Sequence, residues 1–110
     1  MLFGFMIQIW GTNDYSLILL SIEYDYSRVV KNEKRFELIG SQVAKLLRAE
    51  REKKGLSMNA VAERAGLSQS MVSLVEREMR NPTLDTLLRI TAAIEVDLVE
   101  IIARAQRSAK

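Results

Sequence analysis

The stretch Gly55–Pro82, GLSMNAVAERAGLSQSMVSLVEREMRNP, decides the fold. Ser57 suits the N-cap of a short helix, because its hydroxyl can accept from a first-turn N–H that has no partner within the helix. That helix carries Val61, Ala62 and Ala65 and is closed by Gly66. Ser68 caps a second helix in the same way, with Val72 and Val75 on its buried face. Ala65-Gly66-Leu67 joins the two. Gly66 relieves the left-handed backbone that such a turn needs, and Leu67 can plug the core beneath it. Ala62 is small where the helices cross, and Asn81-Pro82 then breaks the chain.

Upstream, Ile39, Val43, Leu46 and Leu47 recur at i, i+4, i+7 and i+8, which predicts a helix from about residue 38 with Gly55 as its stop. Downstream, Pro82-Thr83 opens a fourth helix with Leu84, Leu87, Leu88 and Ile90 or Thr91 inward. Asp97 caps a fifth, whose stripe is Leu98, Ile101, Ile102 and Ala105. Residues 107–110 are expected to fray. The expected domain is therefore 38–106, mainly α, with five short helices. Within it, Glu50 and Glu52 stand two apart, do not face each other on a helix, and read as a solvated face.

Ahead of residue 37 the composition changes. All seven aromatics (Phe3, Phe5, Trp10, Tyr15, Tyr24, Tyr26, Phe36) lie there. Met1–Trp10 is apolar, Gly11-Thr12-Asn13-Asp14 interrupts it, and Tyr15–Tyr26 follows. Ser16, Ile18, Leu20, Ile22, Tyr24 and Tyr26 alternate with Ser21, Glu23 and Asp25, which predicts an N-terminal β-hairpin over residues 1–26. Residues 27–37 read as a charged linker. An alternative stands beside the hairpin: the segment precedes the natural start and has no evolved role. Gln8 and the polar break spoil the roughly 20 apolar residues of a membrane span, and no basic start marks a signal peptide.

The chain has 110 residues, 48% of them hydrophobic and 27% charged, an ordinary globular composition for one domain with an appendage. It has no Cys and no His. That removes disulfides, thiolate sites, the usual zinc ligands and the commonest general base. No catalytic residue, metal or cofactor is expected. A net charge of +2 permits a polyanionic partner without demanding one.

Two short helices that cross closely around a Gly turn meet the mechanical requirement of a helix-turn-helix: one helix braces while the next enters a DNA major groove. The motifs make this concrete. Leu56-Ser57, Val61-Ala62, Gly66, Leu67-Ser68, Val72-Ser73-Leu74-Val75-Glu76, Arg80-Asn81-Pro82-Thr83-Leu84 and Ala92-Ala93-Ile94-Glu95-Val96 occur in order. In this pattern residues 38–105 resemble the lambda repressor and Cro-like helix-turn-helix family, often called XRE.

The resemblance implies double-stranded DNA as partner and assigns roles. Gln69, Ser70, Ser73 and Leu74 are base-reading positions. A Gln amide can bond adenine N6 and N7 together, and a Ser hydroxyl serves several base edges. Leu74 either contacts a thymine methyl or packs against protein, and Met71 is open in the same way. Ser57, Asn59, Arg77, Arg80, Asn81 and Thr83 match phosphate-contacting positions. Arg51 and Glu76 match a structural ion pair. Two departures are visible. Met58 stands where the family commonly has Gln, and that Gln steadies the base-reading Gln. Glu78 stands where it often has Gly. Glu tolerates a left-handed backbone poorly, so the helix from Ser68 is expected to run on through Met79 before bending.

The expected function is a sequence-specific transcription regulator, a repressor, acting in the cytoplasm on the nucleoid. It binds a pseudo-palindromic operator as a homodimer with half-sites one helical turn (~34 Å) apart. Residues 1–26 contribute to self-association. The alternative is an antitoxin-type protein whose residues 1–26 hold a toxin partner while the same DNA-binding domain represses its own operon. A third reading, anchoring to a membrane by residues 1–22, is disfavoured by the polar break.

Overall fold

The computed structural model describes residues 15–109, with side chains described from Lys31 onward. Five helices follow one another: α1 Tyr15–Lys53, α2 Met58–Ala65, α3 Gln69–Glu76, α4 Leu84–Ile94 and α5 Leu98–Ser108. No strand occurs among the described residues. The chain divides into two units between Lys34 and Arg35. The first is described as helical backbone from Tyr15. The second holds the rest of α1 and all the later helices.

The hairpin expectation is corrected here. Its second strand, residues 15–26, is helix, and so are residues 27–37. Its first strand and turn, residues 1–14, lie outside the described residues. The physical reason is in the sequence: neither Gly nor Pro stands between Tyr15 and Ile39, so nothing stops a helix there. The period-2 alternation was also incomplete, because Leu17 and Leu19 are apolar on the opposite face. Such a run suits either element.

In the second unit the core gathers on Leu47, Val61, Val72, Val75, Ile90, Ile94 and Ile101, all nearly or fully buried. Burying each such side chain stabilises by about 1.5–3 kcal/mol relative to exposure. Ile39, Leu46, Leu56, Leu67 and Leu87 pack around them. The α4 stripe differs from expectation. Leu84 and Leu88 are exposed, and Thr86, Ile90, Thr91, Ala93 and Ile94 face inward. Capping by Thr83 sets this phase: its hydroxyl oxygen accepts from the Thr86 N–H at 3.1 Å. Thr91 is accommodated because its hydroxyl donates to the Leu87 carbonyl at 2.8 Å.

Candidate nucleic-acid interface

Helices α2 and α3 begin alike. Ser57 Oγ accepts from the Ala60 N–H at 3.0 Å, and Ser68 Oγ accepts from the Met71 N–H at 3.1 Å. They also end alike. In α2 the Gly66 N–H donates to Glu63 O and the Leu67 N–H to Ala62 O. In α3 the Glu78 N–H donates to Val75 O and the Met79 N–H to Leu74 O. Each is the paired closure that needs a left-handed residue at the helix end. The same bonds end α1 at Gly55 and α4 at Glu95.

So Glu78 takes φ +61°, and α3 stops at Glu76 instead of running on through Met79. Tertiary constraint overrides the preference of the side chain. Val75 and Glu76 are held inward, and only seven residues remain before α4 must start at Leu84.

The orientation of α3 is set by Arg51. Its Nε donates to Glu76 Oε2 at 2.7 Å and its Nη2 to Glu76 Oε1 at 2.9 Å, a two-pronged bond out of solvent. Its Nη1 donates to the Leu56 carbonyl at 2.9 Å, so the same guanidinium holds the entry to α2. The Glu76 hydrogen bond, helped by its charge, raises the Arg51 pKa against the opposing pull of burial. Glu76 therefore faces the core and not the surface.

The opposite face of α3 is open. Gln69, Ser70, Ser73, Leu74 and Arg77 line one shallow hollow. Gln69, Ser70 and Arg77 are exposed, while Ser73 and Leu74 are half-buried. Leu74 belongs to this hollow, whereas Met71 packs against the core. Met58 also packs against the core. Among the described residues no side-chain bond steadies the Gln69 amide.

The remaining candidates surround this face in sequence. Asn59 lies exposed in the first turn of α2, and Arg80 and Asn81 lie exposed after α3. Ser57 and Thr83 are both helix caps, so their oxygens accept from backbone N–H groups. The Ser57 proton stays free to donate to an anionic oxygen.

Two side chains not singled out from the sequence matter as well. Arg89 Nε bonds Asp85 Oδ2 at 2.8 Å, and its Nη1 donates to the Ala65 carbonyl at 3.3 Å. It thus places a cation at the C-terminal end of α2, beside the turn. The i, i+4 spacing of Asp85 and Arg89 was a visible signal for the first of these bonds. Glu50, expected in solvent, is instead partly buried against α5, where Arg104 Nη1 donates to its Oε2 at 3.2 Å. The signal for that contact is absent locally, since the residues are 54 apart.

Comparison with known proteins agrees with this architecture. The helix-turn-helix family profile matches residues 47–101, half of the chain. An uncharacterised HTH-type transcriptional regulator, y4dJ of Sinorhizobium fredii, is 41% identical over 66 residues, covering 60% of this chain and 80% of that protein. The HTH-type transcriptional regulator SlrR of Bacillus subtilis is 35% identical over 60 residues, covering 54% of this chain and 40% of its own length. The restriction-modification controller protein C.AhdI from Aeromonas hydrophila superposes with a TM-score of 0.53 at 33% identity, covering 57% of this chain and 94% of that one. No described helix is long and apolar enough to cross a membrane.

Proposed function

The chain belongs to the XRE-type helix-turn-helix family, and on that premise we propose that it is a sequence-specific DNA-binding repressor without enzymatic activity, working in the cytoplasm on the nucleoid. The observation that supports this most is the outer face of α3. Four neutral side chains, Gln69, Ser70, Ser73 and Leu74, share one hollow that the described chain leaves uncovered. A face meant only for solvation would be charged. Amides, hydroxyls and a methyl-bearing side chain suit the donors, acceptors and thymine methyls of a major groove.

Arg77 stands at the far end of that hollow, and Arg80, Asn81, Thr83, Ser57 and Asn59 serve the phosphate backbone. A module this small makes few base contacts, so the protein acts as a homodimer on a pseudo-palindromic site. Residues 1–26 contribute to that association, and the exposed Val99 offers a further apolar contact. Light scattering of the chain lacking residues 1–26 tests their part; an unchanged dimer rejects it.

The deciding experiment selects bound sites from random duplex DNA, with wild type and with Gln69→Ala. The expected result is a two-fold-related motif and a loss of about 1–3 kcal/mol confined to one base position per half-site. Failure to enrich any sequence, or uniform weakening at every position, rejects the assignment of Gln69.

A further inference from the structure

Helix α3 closes on a glutamate where α2 closes on a glycine. Both residues are left-handed, Glu78 at φ +61° and Gly66 at φ +69°, and both donate the same pair of closing bonds with their successors. A residue with a Cβ pays for that conformation relative to glycine, so Glu78 holds strain that Gly66 does not.

The segment after Glu78 is lightly held. Met79, Arg80 and Asn81 are exposed, and among the described residues their side chains make no hydrogen bond or ion pair. The segment is fixed at its ends, by the Met79 N–H on Leu74 O at 2.9 Å and by the Thr83 cap on Thr86. Behind it lies an open cleft of about 560 Å³, bordered by Gly40, Val43 and Val75 as well as by Glu78, Arg80 and Asn81. A Cβ added at Gly40 would meet nothing within 4 Å, so α1 does not brace the segment there.

We propose that Glu78 is a positioning residue: a strained joint whose backbone, and not its charge, sets where Arg80 and Asn81 stand relative to α3. The competing arrangement puts Glu78 in the right-handed region and opens the closure without adding a further turn to α3. It relieves the strain, gives up the Met79–Leu74 bond, and swings Arg80 and Asn81 around the helix axis into the space the cleft leaves. The two arrangements exchange in the free protein, and only one presents both side chains beside the hollow of α3. The apparent affinity for DNA is lowered by the fraction that is not competent. This consequence rests on the DNA-binding reading; the joint itself does not.

The test uses the full chain with Glu78→Gly and Glu78→Gln. In the free protein, amide hydrogen exchange at Met79 should slow about threefold in Glu78→Gly and stay at the wild-type rate in Glu78→Gln. The Leu67 amide, in the glycine-closed counterpart, should not change in either. On the selected duplex, Glu78→Gly should bind about twofold more tightly than Glu78→Gln at the same salt slope, because a shift of about fivefold between two about equally populated arrangements is shared between affinity and protection. An unaltered Met79 amide in Glu78→Gly overturns the joint. So does a Glu78→Gln variant that binds as tightly as Glu78→Gly, because charge would then be the cause. Slower Met79 exchange in a protein that binds no duplex supports the joint and counts against the DNA reading alone.

Discussion

Helices α2 and α3 are each eight residues long, start on a serine cap and close with the same pair of backbone bonds. What they show to solvent differs. The outer side of α2 carries Asn59, Glu63 and Arg64, a mixed charged surface of the ordinary kind. The outer side of α3 is uncharged from Gln69 through Leu74 and meets its first cation at Arg77. Their attachments differ too. Helix α2 buries small side chains, Ala62 and Ala65, whereas α3 is pinned by a charge pair, Glu76 to Arg51. One helix is shaped for close approach, and the other is held at a fixed rotation with a neutral face outward. The comparison teaches that bracing and presentation are divided between two pieces of nearly identical local design.

The largest expected effect breaks the attachment of α3. Glu76→Ala leaves Arg51 charged and out of solvent, and should cost about 3–5 kcal/mol of unfolding free energy in urea. A loss below 1 kcal/mol would mean that the pair does not set the rotation of α3. Gly66→Ala forces a Cβ into a left-handed turn, where it would meet Arg89 Nη1 at 3.4 Å. That neighbour is the end of a flexible side chain, so backbone strain dominates, and the expected loss is about 1–2 kcal/mol.

Ser57→Ala and Ser68→Ala should each cost about 1 kcal/mol, since each removes one cap. They should separate on DNA: loss of the Ser57 hydroxyl also removes a proposed phosphate contact and weakens duplex binding at an unchanged salt slope, since a neutral hydroxyl releases no counterion, which titration at several salt concentrations measures. Equal duplex affinities for the two variants would remove Ser57 from the interface. The smallest effect sharpens the glycine–glutamate contrast. Glu95→Gly relieves the left-handed closure of α4 and should raise stability by about 0.5–1 kcal/mol, while duplex affinity stays where it was. The Lys54 ammonium bonds the Glu95 carbonyl, so that contact survives the change.

Much of the second unit was legible. Ser57, Ser68 and Asp97 cap helices where capping chemistry placed them, and Gly55 and Gly66 end helices with positive φ. Val43 and Leu47 are buried and Ile39 and Leu46 pack beside them, as their spacing indicated. The misreadings have different causes. At Tyr15–Tyr26 the apolar pattern satisfied two periods at once, and the absence of a stop signal decided for helix. At Glu78 a local preference for the right-handed backbone lost to the need to return the chain to α4. At Glu50 no local signal existed for a partner 54 residues away.

For the candidate interface, the order of motifs from Leu56 to Val96 already named the side chains. What it could not say was which of them share a surface. Met58 and Met71 went inward and Leu74 outward, a sorting that depends on the rotation of α3.

By itself the amino-acid order determined where helices begin and where glycine ends them, because caps and turns are contacts between residues a few places apart. Only the tertiary structure decided how α3 is rotated, that two glutamates would accept left-handed backbone, and that Glu50 would find Arg104. Those outcomes balance a local cost against burial and pairing across the whole domain, and no short window of sequence contains both sides of that balance.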